Sequence, residues 1–348
     1  MGTDKCLIKN ETVRRGVRMK VLLTGATGFI GRKLAAALVE AGHHVTAFVR
    51  PTSNRAGLPD GIQFAEGDML DEVSLKKAIE GHEAVIHLAA YFDFFPSDEE
   101  LMFEVNVEGT KNILNACAGT TVGRFIYCST TEAMGGVRFP PGDEDTELRP
   151  LYSYGESKVE AERAIREISA NASIDHVILR PTGVIGDYVD FVAFEATIAL
   201  YHGEWSVMPR DDQKKIMLIH IDDVTRAFVA ALISKSASNN TIILCPDEPM
   251  SWAEFVEFIT SYVDVKPPSL RVPSVLAKAG MGILSPFKNR GKTTFLWHMK
   301  SIDAMMEDRW YTNEKAKRLL GWAPEFSMQE ALKMSIDWFF ESGNLKKE

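Results

Sequence analysis

Tyr154 and Lys158 stand four residues apart, a spacing that sets both side chains on one face of a helix. A phenol with a pKa of about 10 exchanges protons poorly near neutrality, and a neighbouring ammonium favours the phenolate and lowers that value. The pair therefore suits acid–base chemistry on a substrate oxygen. Thr130, at the carboxyl end of a predicted strand, adds a hydroxyl that can hydrogen-bond and polarise the same oxygen.

A second group, Thr24-Gly25-Ala26-Thr27-Gly28-Phe29-Ile30-Gly31, directly follows a predicted strand and opens a predicted helix. In this G-x-x-G-x-x-G spacing, Gly25 permits a tight turn, Gly28 lets the backbone approach a pyrophosphate, and Gly31 lets helix pack closely on strand. Free N–H groups and the helix dipole then hold the phosphates. After the second strand, Phe48-Val49-Arg50-Pro51-Thr52-Ser53 carries no carboxylate to meet a ribose 2′-hydroxyl. Arg50 offers instead a guanidinium fork suited to a phosphate, with Thr52, Ser53 and Arg55 as further donors. The predicted cofactor is NADP(H) in preference to NAD(H). Asp68, in Gly67-Asp68-Met69 after the third strand, is placed to accept from the adenine amino group.

These groups need a scaffold that brings strand ends and helix starts together. From Lys20 to about Leu179, short β-rich runs alternate with longer helical ones, the pattern of βαβ units in a parallel sheet. Strands are predicted at 21–24, 44–49, 62–67, 84–88, 124–129 and 176–179, apolar almost without alternation, as suits strands covered on both faces. Helical spacing marks 28–41, 73–79, 98–118 and 152–170. Beyond Arg180-Pro181 the rhythm breaks into scattered helices at 191–202, 222–234, 252–263 and 328–340. The expected fold is α/β, a Rossmann-type doubly wound parallel sheet with a smaller, mostly helical C-terminal substrate lobe roofing the cleft. The expected division is a disordered extension at 1–18, a nucleotide-binding domain at 19–182 and a mainly substrate-binding lobe at 183–348, with some segments returning to the first domain.

Composition narrows the partners. With 348 residues and 45% hydrophobic content the chain can bury a large core, and a net charge of −9 gives no general attraction to nucleic acid or an anionic membrane. Cys6, Cys117, Cys128 and Cys245 lie far apart without metal-binding or redox pairing, so no metal is expected. No stretch reaches the roughly 18 to 20 consecutive apolar residues of a membrane span, and the first 18 residues lack a signal peptide's apolar run. The expected compartment is the cytoplasm.

Joined to Val85-Ile86-His87-Leu88-Ala89-Ala90, Asn106-Val107-Glu108-Gly109-Thr110, Arg180-Pro181-Thr182-Gly183-Val184-Ile185-Gly186 and His220-Ile221-Asp222-Asp223-Val224, these motifs make residues 20–340 resemble an extended short-chain dehydrogenase/reductase. That superfamily also holds the NDP-sugar epimerases and dehydratases. The resemblance implies that Tyr154 is the acid–base residue, Thr130 its hydroxyl partner, and Lys158 a ligand of the nicotinamide ribose that also tunes the tyrosine. Asn106 would shape the active site. Thr27, Phe29 and Ile30 would join the glycines around the phosphates, and Met69 would accompany Asp68. Leu88, Ala89, Ala90, Pro181, Thr182, Gly183 and Val184 would line ribose and nicotinamide. A homodimer through the helices carrying Asn106 and Tyr154 is also implied.

Within the superfamily, dehydratases carry Thr-Asp-Glu where this chain has Thr130-Thr131-Glu132, which disfavours dehydration. Epimerases place a diphosphate-binding arginine where Ile216 falls, and Lys214 and Lys215 read as a solvated charge run. An aromatic cluster at the expected cleft mouth, Tyr91, Phe92 and Phe94, with Phe191 and also Phe194, Trp205 and Phe287, suits an apolar substrate alongside Thr131 and Glu132. The expected activity is NADP(H)-dependent reduction of a ketone or aldehyde, or oxidation of the alcohol, as in the dihydroflavonol 4-reductases and 3β-hydroxysteroid dehydrogenases the chain most resembles. An NDP-sugar epimerase or dehydratase using the cofactor transiently, and a non-catalytic NADP(H) sensor, are the alternatives.

Overall fold

The computed structural model describes residues 18–189, 192–280 and 298–346. The predicted extension, apart from Arg18, and the aromatic residues Phe191 and Phe287 lie outside the described residues. The first half runs β1 (Lys20–Thr24), α1 (Phe29–Glu40), β2 (His44–Val49), β3 (Gln63–Glu66), α2 (Glu72–Ile79), β4 (Ala84–His87), α3 (Glu99–Phe103), α4 (Gly109–Cys117), β5 (Arg124–Cys128), α5 (Ser153–Ala172) and β6 (Asp175–Pro181). There follow β7 (Gly183–Ile185), α6 (Ala193–Tyr201), β8 (Val207–Pro209), β9 (Lys215–Ile216), β10 (Leu218–His220), α7 (Ile221–Ile233), β11 (Asn240–Leu244), β12 (Met250–Ser251), α8 (Trp252–Tyr262) and β13 (Leu270–Val272). Further helices span Met299–Met305, Glu314–Leu320 and Met328–Glu341.

A seven-stranded sheet in the order β11-β6-β5-β4-β1-β2-β3, parallel throughout, forms the centre; it is the doubly wound parallel sheet the sequence predicts, with β11 added to the six expected strands. Its inner strands β1, β2, β4 and β5 are buried almost without alternation because both faces are covered. Val21 and Leu23 pack on one face with Leu34 and Leu38 of α1 and Phe228 of α7. Leu22 packs on the other with Leu75 of α2, Ile113 and Leu114 of α4 and Ile165 of α5. Beyond β6 the chain forms helices and three two-stranded ribbons, β10-β7, β12-β9 and β13-β8, around a separate core that includes Trp252, Phe255 and Phe339. β11 returns from this region to the edge of the large sheet beside β6.

Two elements differ from expectation. β3 is shorter than 62–67 and largely exposed, because it is the sheet's edge: Phe64 stays 41% exposed, with the Arg55 guanidinium 4.9 Å from its ring centroid. The single helix expected over 98–118 is interrupted at Glu104–Glu108 by a wider, π-type turn. There the Asn106 carbonyl accepts from Thr110 Oγ1 at 2.6 Å, and the Asn106 amide faces inward. Such bulges mark functional positions in helices.

Candidate active site

Strand order reverses between β1 and β4, so the loops leaving their carboxyl ends part and open a crevice. The glycine loop lines it. Gly25 sits at φ +71°, and a Cβ there would lie 2.6 Å from the Ala89 nitrogen in the loop after β4. A side chain at Gly31 would be driven into the Gly25 carbonyl oxygen. Gly28 caps α1 without any side-chain hydrogen bond, and the first turn holds no acidic residue. Uncapped N–H groups at the positive end of a helix, in a cradle only glycine permits, fit the pyrophosphate of a dinucleotide.

Arg32 of α1 donates from Nε to the Thr27 carbonyl at 2.9 Å and from Nη2 to the Asn54 carbonyl at 3.2 Å. Its guanidinium thus ties the glycine loop to the loop after β2, which begins with the exposed Arg50. Arg55, the further donor expected there, pairs through Nη2 with Glu66 of the edge strand. Asp68 and Met69 follow β3; Asp68 Oδ1 accepts from the Leu70 N–H at 2.9 Å, leaving its second oxygen toward solvent.

Behind the crevice a chain of hydrogen bonds runs in one direction. The Ala89 N–H donates to Thr24 Oγ1 at 3.2 Å, Thr24 bonds His87 Nδ1 at 2.7 Å, His87 Nε2 bonds Thr110 Oγ1 at 3.0 Å, and Thr110 donates to the Asn106 carbonyl. With each hydroxyl donating once, His87 must be neutral and carry its proton on Nε2. Complete burial agrees, lowering its pKa to about 3 with a smaller push from Lys158. Asn106 continues the chain: Oδ1 accepts from the Tyr91 N–H at 2.7 Å, and Nδ2 donates to the Tyr91 carbonyl and to Ser157 Oγ, both at 3.0 Å. Asn106 is therefore a bracket between the β4 loop and α5.

Tyr154 and Lys158 lie one turn apart near the start of α5 and face the crevice. Gly155 lets that helix abut the turn Thr131–Ala133, because a side chain there would strike the Glu132 carbonyl. Thr130 caps the turn, its Oγ1 accepting from the Glu132 N–H at 3.1 Å, so the hydroxyl proton remains free for a substrate oxygen. Lys158 is 2% exposed and donates from Nζ to the Cys128 carbonyl at 2.8 Å. Burial lowers its pKa to about 8. The expectation that Lys158 lowers the Tyr154 pKa needs correction. Burial, with Cys128 and Glu132 nearby, pushes the phenol well above its ordinary value, while the ammonium lies 5.6 Å from the ring centroid and donates one bond to the Cys128 carbonyl. Deeper still, Arg180 makes a bidentate pair with Glu162 at 2.8 and 2.6 Å, and Ser129 Oγ bonds the same carboxylate at 2.6 Å. This fastens α5 to β6 and to the residue before Thr130.

The cleft has a volume of about 610 Å³. It gathers Gly25, Gly28, Phe29, Ile30 and Gly31 with Leu88 and Ala90, the stretch Pro181–Val184, and Phe92, Phe94, Thr130, Thr131, Glu132, Tyr154 and Lys158. Thr27, Ala89, Tyr91 and Asn106 are not in its wall; the last three hold the wall in place from behind. Arg50, Asp68 and Met69 stand apart from it after β2 and β3. Phe194 and Trp205 pack against the second core instead. Sequence reasoning missed Tyr188, which stacks on Phe29 at 4.5 Å, and Trp252, Arg309 and Tyr311, which reach the cleft from the second half. Arg309 Nη1 donates to Glu132 Oε1 at 2.6 Å across 177 residues of sequence, a contact no local spacing signals. Among the described residues, no helix is long and apolar enough to cross a membrane.

A family model described as the NAD dependent epimerase/dehydratase family matches residues 21–245. A 3-beta-hydroxysteroid dehydrogenase from Mycolicibacterium neoaurum is 27% identical over 337 residues, covering 92% of this chain and 91% of that protein. The crystal structure of gox2253 aligns with a TM-score of 0.79 and 26% identity, covering 94% of this chain and 100% of that one. A UDP-glucuronic acid 4-epimerase from Bacillus cereus, solved in complex with NAD, aligns with a TM-score of 0.72 at 24% identity, covering 92% and 98%.

Proposed function

The chain belongs to the NAD dependent epimerase/dehydratase family, within the extended short-chain dehydrogenases/reductases, and from that membership we propose that it is an NADP(H)-dependent oxidoreductase acting on the carbonyl or carbinol of a small apolar substrate. The observation that carries this reading is the meeting of Thr130, Tyr154 and Lys158 in the same cleft as the glycine loop, under a largely apolar wall. The nicotinamide, when bound, supplies a hydride to the substrate carbon or takes one from it. The protein's own residues handle the oxygen. Tyr154, kept protonated by burial, donates its proton to the carbonyl oxygen, and the free O–H of Thr130 donates a hydrogen bond to the charge developing there. Lys158 then faces the phenolate that remains.

Support for NADP(H) comes from Arg50 and Arg32 near the loop after β2 and from the lack of a carboxylate at the end of that strand. A sugar-nucleotide epimerase is the second reading, favoured by the likeness in fold to the Bacillus cereus enzyme. Against it, Lys214 pairs with Asp308 at 2.9 Å and Lys215 with Glu254 at 3.1 Å, so neither lysine is free for a diphosphate, and the neighbouring Ile216 is buried. Dehydration is further disfavoured because Arg309 engages the Glu132 carboxylate.

Incubation with NADPH and ketones, aldehydes or UDP-sugars, followed by nicotinamide absorbance, tests the proposal. Stoichiometric NADPH loss with a ketone or aldehyde is expected, with turnover falling at least roughly 100-fold in Tyr154→Phe while NADPH still binds. UDP-sugar interconversion without net NADPH loss would replace this reading with the epimerase. Function indifferent to Tyr154→Phe would indicate a sensor.

A further inference from the structure

Among the described residues, the charged side chains in the cleft wall are Glu132, Lys158 and Arg309. Lys158 is held by the Cys128 carbonyl, which leaves the Glu132–Arg309 pair as the charged feature of the substrate side, amid Phe92, Phe94, Met217 and Trp252. One bond, from Arg309 Nη1 to Glu132 Oε1, joins them at 2.6 Å. Their remaining polar atoms, Oε2 of Glu132 and Nε and Nη2 of Arg309, have no hydrogen-bond partner and are screened from water. Buried donors and acceptors are rarely left unpaired, and an exception in a cleft wall points to a ligand that completes them.

The charges say which ligand. Glu307 Oε2 lies 3.8 Å from Arg309 Nη2, so one guanidinium stands beside two carboxylates. A carboxylate or diphosphate brought here would meet net repulsion. A purely apolar group would leave two donors and one acceptor unpaired. A neutral hydroxyl does neither, since it can donate to Glu132 Oε2 while accepting from Arg309. Both side chains border the cleft, so a ligand bound there lies beside the pair.

We propose that the Glu132–Arg309 pair is a specificity clamp for a neutral hydroxyl of the substrate, distinct from the oxygen served by Tyr154 and Thr130. The substrate class is thus an apolar ketone, or its alcohol, that carries a second hydroxyl group. The assignment rests on the oxidoreductase reading above.

The test uses three matched 3-ketosteroids bearing a 17-hydroxyl, hydrogen or a carboxylate at position 17, since a steroid dehydrogenase is among the relatives. Calorimetry of the full-length protein with NADP+, which cannot reduce a ketone, reports affinity apart from turnover. The hydroxy ketone should bind roughly 10- to 100-fold tighter than the deoxy ketone, and the carboxylate weakest, as hydrogen bonds to charged groups imply. In Arg309→Met and Glu132→Gln the hydroxy-to-deoxy ratio should fall to within about twofold. The wild-type ranking stands as a test even if either variant fails to fold. Equal binding of hydroxy and deoxy ketones, preference for the carboxylate, or binding of none overturns the clamp. Ranked binding without NADPH oxidation would keep the clamp and remove the oxidoreductase reading; oxidation without ranking would do the reverse.

Discussion

Replacing Lys158 by Met should remove a rise of stability with pH that the buried lysine imposes. Lys158 is 2% exposed, and burial lowers its pKa from 10.5 to about 8. Between those values the unfolded chain holds a proton that the folded chain has released, so the unfolded state binds more protons and stability rises with pH. The charge therefore destabilises the fold in full below about pH 8, and the cost fades as pH climbs toward 10.5. At roughly 1.4 kcal/mol per pKa unit, the full effect is about 3 kcal/mol.

Lys158→Met also removes the bond to the Cys128 carbonyl and the ammonium 4.6 Å over the Tyr127 ring. Comparing pH values isolates the protonation part, because Cys128 titrates only at about 11 and other groups cancel between the two proteins. Urea unfolding at pH 7, 8, 9 and 10 should show wild type gaining on the variant by about 2 to 3 kcal/mol across the series. A constant difference from pH 7 to pH 10 would refute burial as what sets this lysine, and with it the reading of Lys158 as a charge held near the catalytic tyrosine at a cost in stability.

Other perturbations separate the cofactor loop from its supports. Gly31→Ala should weaken NADPH binding at least roughly 10-fold in nicotinamide fluorescence titrations, because its Cβ meets a backbone carbonyl that cannot move aside. Gly28→Ala, whose Cβ would sit 3.3 Å from the Gly25 oxygen, should cost less, and the reverse order would count against this geometry. Arg180→Met should destabilise the fold by about 3 kcal/mol in urea unfolding, the low end for breaking a buried pair since Arg166 still reaches Glu162 at 2.7 Å. Arg163→Met, at an exposed ion pair with Glu160, should stay under about 1 kcal/mol. Arg50→Glu should shift the ratio of NADPH to NADH affinity by at least roughly 10-fold toward NADH, and an unchanged ratio would remove Arg50 from phosphate recognition.

What the sequence made legible was local. The glycine spacing marked the crevice because three close approaches of backbone to backbone require the missing side chains. Unbroken apolar runs marked covered strands, and the i, i+4 spacing of Tyr154 and Lys158 marked one helix face. The edge strand misled, since an apolar run does not tell an edge position from a central one. The turn at Glu104–Glu108 was hidden too, because its cause is a contact of Asn106 with the distant Tyr91 and Ser157. Arg309 went unread because only folding sets it against Glu132, 177 residues away, while its neighbour Asp308 takes Lys214. The tyrosine's environment was likewise unreadable, as desolvation depends on the lobe that closes over it.

The hydrogen-bond chain from Ala89 to Asn106 explains why residues outside the cleft wall matter to it. Ala89 borders the glycine loop, Tyr91 begins the aromatic rim, and Ser157 lies on α5 between Tyr154 and Lys158; Thr24, His87, Thr110 and Asn106 join all three. Such a chain tolerates one polarity only, because reversing any hydroxyl would set two donors or two acceptors face to face. With Thr24 donating to Nδ1 and Thr110 receiving from Nε2, this polarity holds only while the His87 ring is neutral, since a charged ring would displace the Thr24 hydroxyl proton from that bond. A pKa of about 3 secures this over the whole range in which Lys158 and the substrate chemistry operate. The glycine-loop crevice and the helix carrying Tyr154 and Lys158 are thereby set at a fixed spacing by groups outside the cleft wall, while the second half of the chain brings Trp252 and Arg309 to that wall.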